Sequence, residues 1–485
     1  MTEDRAPLFS AAELASIAGG LLVGDPGARI DFVAVDSRKV RHGSLFIALP
    51  GERSDGHLHC EAAFNAGASC VVARADHRPA VESSLGMFAD LNDGTATDTA
   101  LVFVPDCLVA LQALAQAHRA RFPRLLRIGI TGSSGKTTIK ECVAAILGRS
   151  RSIVQNPGNL NSDIGLPLSI FAMNKGHEAG IFEMGMNRMG EIGELAVIYE
   201  PDIALITNVG TAHIGYIGSR DAIAEEKKAI FSRFDGHQAG FVWEDDAYNV
   251  FLKSGVRGDV VDFGPRSTTG LRIVRNCGLD GYDLSWDAFE FRFPLPGRHN
   301  LLNAIGAAAV SSRAGASATE VAEGLSAMKS LFGRSEIVKG DLTIVRDCYN
   351  ANPDSTAAAM ALCDSVAWRG KRVYILGSML ELGKESHAAH HEMGEMAGKS
   401  AANALFFFGE ETRPAFDAAT LTGFPGLVLF ETNFNRLLSA VRGYVTSGDL
   451  ILLKASRGMA LERIADALVP GSPRFEALGE GQDVS

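Results

Sequence analysis

The stretch "RIGITGSSGKTTIKE" (residues 127–141) combines the residue types that hold a nucleotide phosphate. An apolar strand leads into a turn with two glycines, and a Lys-Thr-Thr triplet follows at the start of a predicted helix. Backbone N–H groups in such a turn attract an anion, a lysine reaches the terminal phosphates, and a threonine hydroxyl can ligate Mg²⁺. We therefore predict a phosphate-binding loop made of Gly132, Ser133, Ser134, Gly135, Lys136, Thr137 and Thr138.

This loop is shorter than the common G-x-x-x-x-G-K-[ST] pattern, which would need a glycine where the chain has Ile130. An ordinary Gly-Ser turn before a helix is the alternative interpretation. The strand, the glycines, the Lys-Thr-Thr triplet and the helix nevertheless occur in the order that phosphate binding requires, which favours the phosphate loop.

Two polar residues follow predicted strands further along the chain. Glu183 ends the strand "AGIFE", and His213 lies in the loop after "IALITNV". The carboxyl ends of parallel strands share one edge of a sheet, so both side chains could face the phosphates. A carboxylate and an imidazole can ligate a divalent metal, although Mg²⁺ prefers oxygen, and a structural role is the alternative for each. Lys227 and Lys228 in "EEKKAIF" are, by composition alone, part of a solvated helix face.

Two further polar clusters lie near predicted helix starts. The segment "FPLPGRHNLLNAIG" brings His299, Asn300 and Asn303 to the start of an Ala-rich helix, where they either cap the helix or contact a ligand. The segment "RDCYNANPDS" ends a strand with polar and aromatic groups suited to ribose or adenine, and a plain Asn-Pro turn is the competing interpretation. Its candidate residues are Asp347, Tyr349, Asn350 and Asn352.

The elements that must position these residues divide the chain into three α/β units. Up to about residue 104, strand-like and helix-like pieces alternate, which indicates a small α/β domain. From 105 to 328, strands such as "LRIGIT" alternate with helical segments, which predicts βαβ units and a largely parallel sheet. From 329 to 485, strands such as "KRVYILGS" and "DLILLKAS" alternate with helices, which indicates a Rossmann-like domain.

Composition and charge exclude several classes of protein. A chain of 485 residues exceeds what one core usually supports, at roughly 100 to 200 residues per domain. A net charge of -11 disfavours nucleic-acid binding, and no apolar run reaches the roughly 18 residues of a membrane span. The amino terminus lacks a signal-peptide pattern, and the seven cysteines lack C-x-x-C spacing. We expect a cytoplasmic monomer with reduced thiols that binds neither nucleic acid nor membrane.

Together these motifs resemble those of the Mur ligases, which build the peptide stem of bacterial cell-wall precursors. The resemblance rests on the short loop T-G-x-x-G-K-T-T, on "GRHN", and on "DCYNANPDS" followed by "LGSMLELGKESHAAHHEMG". The segment "DSRKVRHGSLFIALPGERSDGHLH" is similar to the nucleotide-sugar-binding domain of that family. The resemblance implies a UDP-MurNAc-peptide-binding domain (1–104), a central ATP-binding domain (105–328) and a carboxyl-terminal dipeptide-binding domain (329–485).

The resemblance also implies an activity, an ATP-dependent amide ligase. Such an enzyme phosphorylates a carboxylate and then lets an amine displace the phosphate. Because the similarity is strongest to the members that add D-alanyl-D-alanine, the implied substrates are UDP-MurNAc-tripeptide and D-Ala-D-Ala. The implied product is the pentapeptide precursor of peptidoglycan, and the short phosphate loop is then a family trait.

Individual residues receive roles from the same resemblance. Thr137 and Glu183 would hold Mg²⁺, His213 would serve a second Mg²⁺, and Lys227 would be carbamylated by CO₂ to become an oxygen ligand. Lys136 would act on the phosphates together with the other loop residues. Further ATP contacts would come from Asn300, Arg334 and Asp347. Contacts to the other substrates would come from Ser37, Arg38, Asn159, Asn161, Tyr349, Asn350 and Asn352.

The chain departs from the family pattern in one motif, and three alternatives stay open. The family usually has L-G-D-M-x-E-L-G where this chain has Ser378 in place of the aspartate. Folylpolyglutamate synthetases would share only the central and third domains, and a diaminopimelate- or lysine-adding ligase would carry D-N-P-R, which is absent. An ATP-driven switch without catalysis is the third alternative. The histidines of "HAAHH" (387–391) have zinc-ligand spacing, but an exposed helix face is the favoured interpretation.

Overall fold

The structure is a computed structural model that describes residues 7–51, 54–85, 98–287 and 289–469. Within these residues the strands form five sheets, and the three largest have five, six and six strands and follow one another along the chain. Helices connect most of the parallel strands and cover the sheets. The α/β fold class with three successive sheet-based units is therefore confirmed.

The first unit is built on a small mixed sheet. Its strands are β1 (Phe9–Ser10), β2 (Leu21–Gly24), β3 (Arg29–Ile30), β4 (Phe32–Ala34), β5 (Ser44–Ile47), β6 (Ala68–Arg74) and β7 (Ala100–Val104). Its helices are α1 (Ala11–Ala18), α2 (Cys60–Asn65) and α3 (Arg78–Ser84). The five-stranded sheet has the order β2-β7-β6-β5-β4, in which β2 is antiparallel to its neighbour, and β1 pairs separately with β3.

The central unit is built on a parallel sheet of six strands with the order β13-β12-β11-β8-β10-β9. Its strands are β8 (Leu126–Thr131), β9 (Ile153–Gln155), β10 (Ala179–Glu183), β11 (Ile203–Ile206), β12 (Ala239–Trp243) and β13 (Asp259–Phe263). Its helices are α4 (Cys107–Ala120), α5 (Lys136–Leu147), α6 (Gly165–Ile170), α7 (Glu191–Tyr199), α8 (Ile214–Ile217), α9 (Arg220–Lys228), α10 (Asn249–Lys253), α11 (Arg298–Arg313) and α12 (Ala318–Ser326).

An antiparallel sheet, which the sequence pattern did not predict, lies inside the same unit. It consists of β14 (Leu271–Asn276), β15 (Tyr282–Trp286) and β16 (Phe289–Phe293). Gly278 and Gly281 take positive φ values in the turn between the first two strands, a backbone conformation that glycine adopts without a steric penalty. β15 packs its buried side against α12, so this small sheet extends the central core.

The third unit has a six-stranded sheet with the order β17-β18-β22-β19-β20-β21, in which β17 is antiparallel to β18. Its strands are β17 (Glu336–Lys339), β18 (Thr343–Asp347), β19 (Arg372–Gly377), β20 (Ala404–Phe408), β21 (Leu427–Glu431) and β22 (Leu450–Lys454). Its helices are α13 (Pro353–Ser365), α14 (Ser386–Gly398), α15 (Arg413–Leu421), α16 (Phe434–Tyr444) and α17 (Glu462–Leu468). Helices α13 to α15 cover one face and α16 and α17 the other.

One apolar core joins the first and central units. Leu111 of α4 lies in the same buried cluster as Phe9 of the first unit and Phe171 of the central unit. Val104 and Cys107, on either side of the predicted boundary, are buried in that cluster too. The domain boundaries near residues 105 and 329 therefore stay predictions, since the first of them crosses a continuous core.

Candidate active site

A cavity of about 810 Å³ lies between the carboxyl edge of the central sheet and the third unit. Strand ends from both units line it, as expected for open α/β sheets, where ligands bind beyond the carboxyl ends of strands. Sixteen of the predicted site residues line this cavity: Ser133, Ser134, Gly135, Lys136, Thr137, Thr138, Asn159, Asn161, Glu183, His213, Asn300, Arg334, Asp347, Tyr349, Asn350 and Asn352.

The predicted phosphate loop connects β8 to α5 and needs its glycines for both conformation and space. Gly132 and Gly135 have φ values of 147° and 86°. A Cβ on Gly132 would collide with the hydroxyl of Thr207, and a Cβ on Gly135 would collide with the side chain of Asn303. Because α5 begins at Lys136, its amino-terminal N–H groups point into the loop, where an anion is favoured.

Hydrogen bonds to the segment after β11 hold the loop in shape before any ligand binds. The Thr207 hydroxyl donates to the Ser134 carbonyl at 2.6 Å, and the Ser134 N–H donates to the Asn208 side chain at 3.1 Å. The Gly210 N–H donates to the Ser133 hydroxyl at 2.8 Å. The loop is therefore preorganised by residues that the motif alone does not reveal.

Lys136 lies in the loop with its amine directed at the backbone. Its Nζ donates to the Gly132 carbonyl at 2.9 Å. Burial lowers the pKa of Lys136, and the Glu183 carboxylate opposes that shift. A phosphate bound in the loop would stabilise the ammonium form, because it places negative charge beside the amine.

Thr137 and Glu183, for which the family resemblance implied a shared Mg²⁺, lie in contact. The Thr137 hydroxyl donates to one oxygen of the buried Glu183 carboxylate at 2.8 Å, and the Asn161 amide donates to the other at 2.7 Å. Hydroxyl and carboxylate oxygens are the donors that Mg²⁺ prefers. These two residues therefore fit a magnesium site next to the phosphate loop.

Asn156, which the sequence did not predict as a site residue, holds the end of the strand that carries Glu183. The fully buried Asn156 side chain accepts from the Glu183 N–H at 2.9 Å and donates to the Glu183 carbonyl at 3.1 Å and the Leu160 carbonyl at 2.9 Å. Buried Lys140 donates to the Asn156 carbonyl at 2.7 Å. The signal available in the sequence was a lysine on the inner side of α5, which is costly unless a polar partner lies opposite.

Lys227 is buried at the end of α9, with 1% of its surface exposed. Its Nζ contacts the sulfur of Met186, a cavity-lining residue, at 3.9 Å. Burial, with the nearby Lys136 charge, lowers the pKa of Lys227 well below its usual value, which favours the neutral amine. The adjacent Glu226 anchors α9 by accepting the N–H groups of Gly190 and Ile192 at 2.6 and 2.7 Å. The interpretation from composition alone, that Lys227 belongs to a solvated helix face, is therefore wrong.

His213 lines the cavity from the loop before α8 and has a left-handed backbone with φ of 63°. Its Nδ1 is buried and lies 3.4 Å from Oε2 of Glu381 in the third unit, without hydrogen-bond geometry. Burial lowers the pKa of His213, which keeps the ring neutral and its nitrogens free to act as ligands.

The third unit brings a second polar group to the cavity. Buried Lys454, at the end of β22, donates to the Asp347 carboxylate and to the Asn350 carbonyl, both at 3.0 Å. The guanidinium of Arg334 lies over the Tyr349 ring, 4.2 Å from its centre. Lys454 is a cavity residue that sequence reasoning missed, because a lysine at a strand end resembles an ordinary surface charge.

The asparagines of α11 do not cap their helix. The helix follows Gly297, and no side chain caps it. Asn300 instead donates to the Pro296 carbonyl at 2.8 Å, and Asn303 donates to Asn300 at 3.3 Å while lying against Gly135 of the phosphate loop. By contrast, Asn352 does cap α13, and its amide also approaches the Ser134 hydroxyl at 3.4 Å.

Contacts across the cavity tie the third unit to the central unit. The carboxylate of Asp354, in the first turn of α13, accepts from the Thr211 N–H at 2.8 Å and from its hydroxyl at 2.9 Å. Thr211 follows Gly210, whose N–H binds the phosphate loop. One short loop therefore touches both the phosphate site and the third unit.

Family models match three successive segments of the chain. They are described as "Mur ligase family, catalytic domain" over residues 29–119, "Mur ligase middle domain" over 130–311, and "Mur ligase, glutamate ligase domain" over 333–457. The chain belongs to the Mur ligase family. Within the described residues, no helix has the length and apolarity needed to cross a membrane.

Similar proteins span this Mur ligase almost end to end. The UDP-N-acetylmuramoyl-tripeptide--D-alanyl-D-alanine ligase of Treponema pallidum is 42% identical over 94% of this chain and 97% of its own length. A crystal structure of MurF from Acinetobacter baumannii superposes with a TM-score of 0.82 at 27% identity, covering 95% of this chain and 98% of that one. A crystal structure of a MurF ligase from Thermotoga maritima in complex with ADP superposes with a TM-score of 0.74 at 26% identity, covering 90% of this chain and 96% of that one.

Two predicted contacts of this Mur ligase lie away from the cavity. Ser37 and Arg38 form a short turn after β4 in the first unit, and Asp36 pairs with Arg38 at 2.8 Å. They are not among the lining residues, so a contact with a bound nucleotide sugar stays a prediction.

Ser378, which replaces the usual aspartate of the family motif, and the neighbouring histidines are hydrogen-bonded within the third unit. The buried Ser378 hydroxyl donates to Glu411 at 2.7 Å. His390 accepts from the Met379 N–H at 3.0 Å and bonds the Ser386 carbonyl at 2.7 Å, so both of its nitrogens are occupied. The "HAAHH" histidines therefore form no metal cluster within the described chain.

One His and Asp cluster with metal-like spacing does occur in the first unit, formed by Asp55, His57 and His77. His57 accepts the Arg74 N–H at 3.0 Å through Nε2 and bonds Asp55 at 2.6 Å through Nδ1. Since a neutral ring that accepts at Nε2 carries its proton on Nδ1, that nitrogen has no lone pair for a metal. The cluster is a structural one.

Proposed function

We propose that this Mur ligase joins D-alanyl-D-alanine to UDP-MurNAc-tripeptide with consumption of ATP, which yields the pentapeptide precursor of peptidoglycan. One observation carries the proposal: the preorganised phosphate loop with the Thr137 and Glu183 pair faces a cavity completed by the third unit. The near full-length similarity to a ligase of that name supports the choice of substrates.

The reaction has two steps that share the cavity. The terminal phosphoryl group of ATP passes to the tripeptide carboxylate, giving an acyl phosphate and ADP. The dipeptide nitrogen then attacks the acyl carbon, the bond from carbon to the phosphate oxygen breaks, and inorganic phosphate leaves with that electron pair while the amine proton passes to solvent. The product is an amide, and the free carboxylate would have been too poor an electrophile to form it.

The central unit supplies the groups for phosphoryl transfer. The loop from Gly132 to Thr138 would hold the ATP phosphates through backbone N–H groups, and Lys136 would oppose the charge that develops during transfer. Thr137 and Glu183 would hold Mg²⁺, whose charge would neutralise the phosphate oxygens when bound. Asn156 would keep Glu183 in register through its backbone bonds.

The remaining cavity residues would hold the substrates. Asn300 would meet adenine, Asp347 the ribose, and Arg334 the phosphates from the side of the third unit. Asn159 and Asn161 would contact the peptidyl nucleotide, whose uridine diphosphate end would meet Ser37 and Arg38. The other polar contacts would come from Tyr349, Asn350 and Asn352.

Lys227 would be carbamylated by CO₂. Carbamate formation needs an unprotonated amine, and the burial that lowers the pKa of Lys227 supplies that form. The nitrogen attacks carbon dioxide, loses one proton and gains a carboxylate, which replaces a neutral amine with an anionic group that has two oxygen donors. Together with His213, these oxygens would serve a second Mg²⁺.

An assay of ADP release tests the function. Purified protein, ATP and Mg²⁺ are combined with synthetic UDP-MurNAc-tripeptides that carry lysine, meso-diaminopimelate or another third residue, with D-Ala-D-Ala or free amino acids. We expect ADP release to require a tripeptide nucleotide and D-Ala-D-Ala, and the preferred third residue to emerge from the series. ATP hydrolysis that ignores the dipeptide would instead support an ATP-driven switch. The cytoplasmic location and monomeric state stay predictions.

A further inference from the structure

Two residues in left-handed backbone conformations face each other where the third unit meets the central unit. His213 has φ of 63° and Glu381 has φ of 70°, and Nδ1 of the first lies 3.4 Å from Oε2 of the second. This conformation is unfavourable for residues with a Cβ and persists only where surrounding packing imposes it, which is common at functional sites.

Backbone packing imposes the conformation of Glu381. Gly215, in the first turn of α8, lies against the turn from Glu381 to Gly383. A Cβ on Gly215 would lie 2.5 Å from the Glu381 carbonyl oxygen and 2.6 Å from the Gly383 nitrogen, so only glycine permits the contact. On the other side, the Leu380 N–H donates to the Ser456 hydroxyl at 2.9 Å. The turn is therefore held from both units.

Within the part of the chain that the structure describes, the Glu381 carboxylate has no lysine or arginine partner. Its side chain is 44% exposed, and the one basic side chain of the described ranges that lies within ion-pair distance of the carboxylate is His213. Glu381 is not itself a lining residue, but His213, which lies 3.4 Å from its carboxylate, lines the cavity. A negative group from the third unit thus stands at the edge of the cavity.

We propose that Glu381 binds the ammonium group of the incoming dipeptide and thereby places its nitrogen beside the acyl phosphate. The inference rests on the function proposed above and adds a residue that selects an amine substrate. An exposed carboxylate without a cation suits an ammonium ligand, and charge-assisted hydrogen bonds are the strong ones. Because the Gly215 contact fixes the turn, the dipeptide site is complete only when the third unit is docked.

The test separates the two chemical steps. Wild type, Glu381→Gln and the control Glu392→Gln, which neutralises an exposed acid on α14, are assayed for ligation of D-Ala-D-Ala. The same proteins are assayed for hydroxamate formation when hydroxylamine, a neutral nucleophile at pH 7, traps the acyl phosphate. In Glu381→Gln we expect kcat/KM for D-Ala-D-Ala to fall about 10- to 100-fold through a higher KM, with KM for ATP unchanged. Hydroxamate formation should stay near wild type, and Glu381→Asp should recover part of the ligation.

Three outcomes overturn the inference. One is normal ligation in Glu381→Gln, and another is an equal loss of ligation and hydroxamate, which would place the residue in phosphoryl transfer or in folding. The third is an unchanged KM for the dipeptide with a lowered kcat. If wild type itself releases ADP without the dipeptide, the proposed function fails rather than the role of Glu381. Normal activity in Glu392→Gln is required for either conclusion.

Discussion

The buried Lys227 amine contacts a thioether, the sulfur of Met186, and this environment determines the chemistry of the amine. A protonated lysine there would repel Mg²⁺, whereas a carbamate would attract it. We therefore expect Lys227→Ala to be nearly inactive at low Mg²⁺. A short-chain carboxylic acid should restore part of the activity, because it can occupy the volume and ligand position that the carbamate leaves. The measurement is ADP release across a series of added acids.

The neighbouring lysine is the control. Lys228 packs towards α10, where it donates to the carbonyls of Phe251 and Ser254 at 2.8 and 2.6 Å. Lys228→Ala should therefore ligate like wild type, although the lost hydrogen bonds should lower its Tm. Equal activity losses in the two variants, or no rescue by any acid, would contradict the role given to Lys227.

Lys136 is the other residue with a decisive substitution. Its amine already lies in the phosphate loop, so removing it should leave the fold intact and lose the charge that opposes the transferring phosphoryl group. Such contacts are worth about 3 kcal/mol or more, at least about a hundredfold in kcat. We expect Lys136→Ala to abolish ligation while its circular dichroism matches wild type. Near-normal kcat would disprove the phosphate-loop interpretation.

Among the elements, the turn between β8 and α5 depends on close packing. Gly135 has φ of 86° and lies against the side chain of Asn303. Gly135→Ala should displace α11 from the loop and weaken ATP binding by at least about tenfold, measured by titration calorimetry. The control is Gly443→Ala on α16, where an added Cβ meets nothing. That change should leave binding unchanged and raise the free energy of unfolding by less than about 1 kcal/mol, since alanine is a better helix former than glycine and Gly443 lies in the last turn of α16.

The sequence predicted those elements that carry their own local signal. Strand, glycines and Lys-Thr-Thr predicted the phosphate loop. Thr137 meets Glu183 because α5 begins just beyond the end of β8, the parallel neighbour of the strand that Glu183 ends. It did not predict Asn156 or Glu381, whose roles arise from contacts between segments distant in sequence. The burial of Lys227 was equally hidden, because a Glu-Glu-Lys-Lys run looks solvated until α7 packs over it. The resemblance to the family singled out Lys227, which the residue pattern did not.

On the scale of the whole molecule, the cavity joins two units that must approach each other for reaction. Reacting atoms must come within roughly 3.5 Å, so we expect the third unit to swing about the linker near residue 329 when substrates bind. Small-angle scattering should show a more compact particle with a non-hydrolysable ATP analogue and the tripeptide nucleotide than without them. Identical profiles would count against closure.

Asp354 offers a way to shift that equilibrium. Its carboxylate accepts both hydrogen bonds from Thr211 across the cavity, so Asp354→Ala should favour separated units. We expect a larger radius of gyration than wild type for the free variant and a smaller difference once ligands are bound. Asp417→Ala, which removes an exposed acid on α15, should scatter like wild type. An Asp354 variant as compact as wild type would show that other contacts hold the units together.

The helix α4 has a different consequence, because its apolar side lies in one core with both the first and the central unit. Because the two units share this core, we expect the distance between Ser37 and Arg38 in the first unit and Lys136 in the central unit to stay fixed. If Ser37 and Arg38 hold the uridine end of the substrate as proposed, its peptide reaches the phosphate loop only when it has the right length. A peptide one residue shorter falls short by up to about 3.5 Å, as much as the whole distance allowed between reacting atoms. The fixed distance between the two sites would thus select the length of the peptide, without a side chain that recognises its end.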